Sequence, residues 1–432
     1  MIGKSDMAMY LPAVQEPFLE YVVSEDEFAP HGYSTNDLNF LDPDNRLWSY
    51  PYALASAGLL ANTKKSNAIT SRDERSWILG DSGGYQIGTG KLPELKGWSS
   101  VNDDIAKIRR MWRNTRFIDD MVRWVDCHCN YAMTLDMPLW MHEGKNTSNA
   151  FYNFSPSELL DVTLENLRFI EERRGVFGNC KFLNVMQGVT DEAEDAWYAK
   201  IKTFNFHGWA LGGTEKWNGG LTRVLRRLLI LRDEGRLNAG EDVVHLLGLA
   251  QYAWSVVLTA VQRAVRATTN ASFQITFDAA TPFHNAYKYQ QFFVPRVFND
   301  KLSNWARDIR KFPTTYRQVE SSAGEPFCLG SPYSAVWTVG DVCRKLEKFE
   351  NNFVSKFASH ALVAHNICVM TKDFAECHCV TFIDGKAPTE ILDSVDLIQK
   401  LFETEQWSDL LHQNRDLLEY VSNKSMWSRT QR

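Results

Sequence analysis

The sequence predicts an α/β protein: a parallel barrel or sheet wrapped by helices, followed by a less regular, mainly helical C-terminal portion. Three observations lead there. The chain is 432 residues long, enough for two or three domains or for one large α/β barrel with additions. From about residue 76 to residue 277, short apolar runs alternate with amphipathic stretches, as parallel strands joined by helices do. Polar or glycine-rich residues stand directly after the apolar runs, at the carboxyl ends of the strands, where α/β proteins build their active sites.

Taken in order, residues 76–79 and 131–135 read as strands. Ser157 reads as the cap of a helix, with Pro156 near its first turn and Leu160, Leu164 and Leu167 on one face. Residues 182–186 form the next strand, and a helix follows from about 191 to 204 with acidic residues in its first turn. Residues 209–211 are a short strand, 221–231 an arginine-rich helix, 243–247 a strand, 252–267 a helix and 273–277 a strand. Past about Asn285 the rhythm weakens, and 302–311, 342–357 and 394–402 are helical candidates. The expected division is a barrel over residues 1–300 and a helical portion over 301–432.

A hydrophobic content of 44%, with 23% charged residues, 25 glycines and 14 prolines, excludes a disordered, collagenous or low-complexity chain. Lys and Arg number 47 against 53 for Asp and Glu, a net charge of -6, so any nucleic-acid partner has to be held by a local basic surface. Two stretches qualify: Arg109, Arg110, Arg113 and Arg116 with Trp112 among them, and Arg223, Arg226, Arg227 and Arg232. Each reads equally as a solvated helix face. Residues 1–13 lack the basic and apolar regions of a secretory signal. The most apolar window, 243–261, carries His245, Gln251 and Ser255 and is split by Gly248, which argues against a membrane span. A cytoplasmic location is expected. The eight cysteines are too sparse for a disulfide scaffold. Neither Cys127-His128-Cys129 nor Cys377-His378-Cys379 has zinc-ribbon spacing, and the first reads as core and edge packing.

The loops after the strands carry the chemistry. Asp81-Ser82-Gly83-Gly84-Tyr85-Gln86 places a carboxylate and a ring around two glycines that let backbone approach a ligand. Asp136 ends a strand ahead of Pro138, Gln187-Gly188 and Gly212-Gly213 follow two more, and Asp278 ends the last, in the string 277–286, Phe-Asp-Ala-Ala-Thr-Pro-Phe-His-Asn-Ala. Each alone is ordinary cap or turn chemistry.

Together and in this order, with 246–248 entering a glycine, the six blocks resemble the tRNA-guanine transglycosylase superfamily over residues 81–286, roughly half of the chain. The resemblance implies a (β/α)8 barrel and base exchange, in which guanine in a polynucleotide is replaced by a 7-deazaguanine without strand cleavage. It assigns Asp278 as nucleophile and Asp81 as general acid and base. Chemically this is coherent, since a carboxylate splits displacement at a sugar C1′ into two steps and a second one shuttles the proton. By the same resemblance, Ser82, Gly83, Tyr85, Asp136, Gln187, Gly212, Gly213 and Leu247 hold the base, with Tyr85 and Leu247 on its faces and Asp136 and Gln187 at its polar edge.

The chain also departs from the pattern. Where members acting on tRNA place two arginines after the nucleophile, His284 and Tyr287 stand here, and the regular zinc string is missing. Cys328, Cys343, His360, His365, Cys368, Cys377, His378 and Cys379 are candidates for an irregular structural zinc site, or are ordinary core and surface residues. The exchange chemistry itself calls for no cofactor. These departures resemble more closely a branch that inserts preQ0-type bases into the DNA of bacteria and their viruses. The expected partners are therefore DNA, with tRNA as the alternative, the free 7-deazaguanine, and a helper protein that opens the duplex. The location is then bacterial or host cytoplasm. Two other classes stay open: a barrel that binds nucleobases without catalysis, and a hydrolase of free nucleosides.

Overall fold

The computed structural model describes residues 5–25, 29–61, 63, 65–101, 103–143, 149–188, 190–212, 220–343 and 354–422. Eight parallel strands close into a barrel in chain order: β1 (Met9–Val14), β2 (Tyr52–Ser56), β3 (Trp77–Asp81), β4 (Tyr131–Met133), β5 (Lys181–Met186), β6 (Gly208–Leu211), β7 (Val243–Leu246) and β8 (Gln274–Ala279). β8 pairs back on β1 and sets Leu11 beside Asp278. Parallel neighbours require crossovers, and Pro156–Arg173, Asp191–Ile201, Gly220–Asp233 and Tyr252–Thr268 are the helices that supply those from β4 to β8. The expected (β/α)8 barrel with a helical C-terminal part is the fold found.

Strand side chains alternate between two faces, and here the faces are two separate cores. Met9, Leu11, Leu54, Leu79, Leu183 and Val185 pack with one another inside the barrel. Ile78, Ala132, Phe182, Val244, Leu246 and Phe277, each one residue out of step, belong to the outer core between strands and helices. With both faces buried, the strands read as continuous apolar runs.

Two strands escaped the sequence reading. β1 contains Pro12, which reads as a strand breaker, and β2 is built on Ala53 and Ala55, which have low β-propensity. Pairing overrides both signals: β1 meets β8 over Met9–Pro12 and β2 over Ala13–Val14. The cap of the helix Pro156–Arg173 is Ser155, not Ser157. Ser155 and Glu158 form a reciprocal capping box, the Glu158 carboxylate accepting the Ser155 N–H at 2.9 Å and the Ser155 hydroxyl accepting the Glu158 N–H at 3.3 Å. The buried face of that helix carries Leu159, Val162, Thr163, Asn166, Leu167 and Ile170, with Leu160 and Leu164 only partly buried beside it.

Beyond the barrel, residues 302–311 are not a helix. A short 3-10 turn, Leu302–Trp305, leads into β10 (Asp308–Lys311), which pairs antiparallel with β9 (Gln291–Val294). Of the candidate helix 342–357, residues 344–353 lie outside the described residues, and the observed helix begins at Lys356 behind the cap Ser355. The candidate over 394–402 lies inside the helix Thr389–Glu403. The long helix Lys356–His378 is buried along most of its length and packs on the barrel. Asn366 Nδ2 donates to the carbonyls of Pro282 and Gln291 at 3.2 and 3.0 Å, and Tyr252 donates to Asp373 at 2.6 Å. Among the described residues, no helix is long and apolar enough to cross a membrane.

Candidate active site

The inward register continues past the apolar interior to the carboxyl ends of the strands, and there it becomes polar. Two residues above Leu54 on β2 comes Ser56, above Leu79 on β3 Asp81, above Val185 on β5 Gln187, above Ala210 on β6 Gly212, and above Thr276 on β8 Asp278. Leu247 occupies the matching place after β7 and packs on the interior cluster. Ser56, Asp81, Gln187, Gly212, Leu247 and Asp278 thus share one mouth because they share one phase of the pleat, whereas Asp136, three residues past the inward Met133, joins them from the loop after β4.

Asp278 is 7% exposed. Its Oδ1 accepts the Gly248 N–H at 2.9 Å and lies 3.3 Å from Nε2 of His245, which is fully buried. Asp81 ends β3 in register with Ser56 and accepts the Gly83 N–H at 3.4 Å. Burial raises its carboxyl above the ordinary carboxylate range, and the nearby charge of Asp278 adds to the rise, while Ser56, Gly83 and His245 oppose it. Burial thus inclines Asp81 to keep a proton, while the Gly248 N–H and His245 face Oδ1 of Asp278.

Asp136 is 5% exposed and accepts a hydrogen bond from Gln187 Nε2 at 2.7 Å. Burial pushes its pKa up to about 7; Asp81 adds to this and the Gln187 bond works against it. Its place is fixed by the helix behind it: the Thr163 hydroxyl accepts the Met137 N–H at 2.9 Å and Asn166 Nδ2 donates to the Leu135 carbonyl at 3.1 Å. These bonds explain why two polar residues occupy the buried face of Pro156–Arg173.

The glycines allow loops to meet. Gly83 has φ +99°, and a Cβ there would stand 2.9 Å from Gly58 Cα; a Cβ on Gly84 would stand 3.2 Å from an Asp136 oxygen. Ser82 is buried beneath this crossing. Tyr85 stands at the rim, 62% exposed, its ring centroid 6.0 Å from that of Trp140. Gly213 lies outside the described residues.

The sequence reading missed His245 as a site residue. Its signal was a lone imidazole at an inward position of an otherwise apolar strand. At the two positions where the resemblance implies arginines, His284 and Tyr287, and at their neighbour Phe283, the side chains have other settings. The Tyr287 hydroxyl lies 2.7 Å from His360 Nδ1, Phe283 packs edge-on against Phe18, and His284 is exposed.

The two arginine-rich stretches stand on ion pairs. Arg109 and Arg113 share Glu165 at 2.5 and 2.6 Å, Arg116 reaches Asp120 at 3.7 Å, and Trp112 is buried with its N–H on Asn166. Arg110 is exposed. Arg223 pairs with Asp191, Arg226 and the buried Arg227 with Asp195, and Arg232 with Asp233. Carboxylates thus already neutralise much of both candidate phosphate surfaces.

Among the described residues, no three His, Cys, Asp or Glu side chains converge as a metal site. His365 uses both ring nitrogens, on Ser331 and on the Phe293 carbonyl, and burial holds its pKa down to about 4. His360 stacks on Tyr21. Burial raises the thiols of Cys328, Cys368 and Cys377, which favours the protonated form over a ligating thiolate. Cys379 sits at the end of the long helix. A cavity of about 740 Å³ opens at the opposite end of the barrel, among Trp77, Tyr131, Lys181, Asp242 and Gln274, and none of the predicted site residues lines it. No protein-family model matches the chain, and no curated protein matches it.

Proposed function

We propose that the protein is a base-exchange glycosyltransferase that replaces guanine in DNA with a 7-deazaguanine of the preQ0 type. The observation that carries this reading is the meeting of Asp278, Asp81, Asp136 and Gln187 at one mouth of the barrel, each at the end of a different strand. Retention of both reactive carboxyl groups favours catalysis over simple binding.

In the proposed reaction the Asp278 carboxylate attacks C1′ of the nucleotide as the bond from C1′ to guanine N9 breaks. The electron pair leaves on N9, which takes the proton held by Asp81. Guanine departs, the incoming base gives its N9 proton to Asp81, and its nitrogen displaces the Asp278 ester. The carboxylate is regenerated and both bonds balance. Asp136 accepts from the amino and imino hydrogens of the base, and Gln187 donates to the carbonyl. The raised carboxyl of Asp81 suits a group that must hold a proton before it delivers one.

DNA is preferred over tRNA because His284 and Tyr287 offer no guanidinium near the nucleophile, and Tyr287 is occupied by His360. A base enclosed on both faces and at its edge cannot remain paired, so the target must be extruded or single-stranded, at a cost of about a few kcal/mol. Exchange of radiolabelled guanine and of preQ0 into single-stranded DNA, duplex DNA and tRNA, side by side, tests the proposal. Incorporation into DNA above tRNA is expected, fastest where guanine is unpaired. Exchange into tRNA alone would move the substrate to RNA, and exchange into neither would overturn the transferase reading.

A further inference from the structure

We propose that His245 is the positioning residue of the nucleophile: its ring N–H, with the Gly248 N–H, holds Oδ1 of Asp278 and leaves Oδ2 as the attacking atom. This rests on the transglycosylase reading above. The argument begins with register. His245 and Thr276 are paired across β7 and β8, both point inward, and Asp278 is the next inward residue on β8. The imidazole is fully buried, with Nδ1 2.9 Å from the Thr276 hydroxyl and Nε2 3.3 Å from Asp278 Oδ1.

Proton assignment follows from what each atom can do. An ionised carboxylate only accepts, so the nitrogen facing it has to carry the hydrogen. In a neutral ring Nδ1 is then an acceptor, and the Thr276 hydroxyl donates to it. The carboxylate thereby selects the tautomer that presents an N–H to the nucleophile, and the Thr276 hydroxyl supports it by donating to the free Nδ1. At 3.3 Å the contact with Asp278 is long and off the hydrogen-bond axis, and among the described residues Nε2 has no hydrogen-bond partner. A buried donor left unpaired is destabilising, so the pair gains by closing. Such contacts commonly tighten only in the reacting complex. The inward neighbours on β1 and β7 are Met9, Leu11, Val243 and Leu247, all apolar, and among the described residues the titratable groups that interact electrostatically with Asp278 include Asp81 and the buried Tyr10.

The consequence is atomic. Oδ1 accepts the Gly248 N–H and has His245 Nε2 within 3.3 Å, the second donor once the contact closes. Oδ2 forms the bond to C1′, and in the ester Oδ1 becomes the carbonyl oxygen that both donors still hold. When the second base displaces the ester, the same donors receive the returning carboxylate charge. His245 neither gains nor loses a proton in the cycle, which makes it a positioning residue and leaves the proton transfer to Asp81.

The test uses His245→Phe, His245→Gln and Thr276→Val in the full chain. It follows single-turnover formation of the covalent adduct with guanine-containing single-stranded DNA, together with kcat and KM for the free base. Loss of one such donor is expected to lower adduct formation and kcat by about 10²-fold, with KM within about twofold. Gln, whose side-chain N–H can reach the same oxygen, is expected to recover at least about tenfold of that loss. A purely structural role would move kcat in step with stability and would give no rescue by Gln. Nitrogen-15 spectra of histidine-labelled protein are expected to show one buried ring protonated at Nε2, shifted in Asp278→Asn and redistributed in Thr276→Val. Wild-type adduct formation in His245→Phe, or a ring protonated at Nδ1, would overturn the proposal. If His245→Phe does not fold, the Gln variant and the spectra decide. Absence of any adduct in the wild type would instead remove the transglycosylase reading, while the spectra still decide whether His245 donates to Asp278.

Discussion

Replacing Asp136 by Asn separates what this carboxyl costs the fold from what it contributes to recognition. The side chain is 5% exposed and burial pushes its pKa from 3.8 up to about 7. The unfolded chain releases this proton near its ordinary value, whereas the folded protein keeps it until about pH 7. Over that window protonation favours the folded state, so stability falls as pH rises from about 4 to 7 and levels off above. At about 1.4 kcal/mol per pH unit the interval is worth about 4 kcal/mol, taken as a ceiling because local relaxation reduces it. Asn has the same shape, carries no charge, and keeps an oxygen to accept from Gln187. Asp136→Asn is therefore expected to be more stable than the wild type at pH 8, about equally stable at pH 4, and to show a slope shallower by this one proton, Asp373, raised by burial to about 6, still contributing its own. Guanine binding should weaken by about tenfold or more, since a hydrogen bond to a charged group is worth about 1.5–3 kcal/mol. Urea unfolding at pH 4, 6 and 8 reads the first effect, and titration calorimetry with guanine reads the second. A wild type with no such slope, or a variant whose slope is as steep, would show that Asp136 ionises as an exposed carboxylate does and would remove the argument.

Asp278→Asn should abolish base exchange and covalent adduct with an unchanged unfolding midpoint, because an amide does not form the glycosyl ester; exchange near the wild-type rate would sink the nucleophile assignment. Asp81→Asn should stop turnover yet still allow some adduct to accumulate on denaturing gels where guanine finds another proton donor. Gly83→Ala should cost about 2 kcal/mol, since φ is +99° and the new Cβ meets Gly58 Cα at 2.9 Å. The same change should slow exchange by shifting Asp81, and a variant as stable as the wild type would mean that the loop gives way freely. Thr163→Val leaves the Met137 N–H unpaired and should cost about 1–3 kcal/mol in urea unfolding, with weaker guanine binding. Full guanine affinity in that variant would show that the loop holds Asp136 unaided.

Strands with runs such as 182–186 or 273–277 were legible because both faces are buried, so nearly every residue in them is apolar. The same double burial hid the helix Lys356–His378: packed on most sides, it shows no polar stripe and so no helical period. β1 and β2 were hidden by Pro12 and by their alanines, whose local preference the ladders to β8 and β3 override. For the site, the carboxyl groups could be read from their place after strands, since a loop position is a statement about chain order. His245 could not, because its role depends on Thr276 and Asp278 standing across the sheet, and no spacing along the chain expresses that. The arginines misled in the opposite direction. Their partners Glu165, Asp191 and Asp195 lie on other helices, so charges that look available along the chain are already spent between helices.

The apolar plug of Leu11, Leu54, Leu79 and Val185 beneath the carboxyl groups gives the well a solid bottom. With the floor filled, an outgoing base in the proposed exchange leaves by the same mouth through which its successor arrives. For a swap performed in such a vessel, the strand must be tethered while the seat stands empty, or it drifts away with a gap where a base belonged. Under the proposed exchange, the closed floor gives a covalent anchor a role in traffic as well as in chemistry.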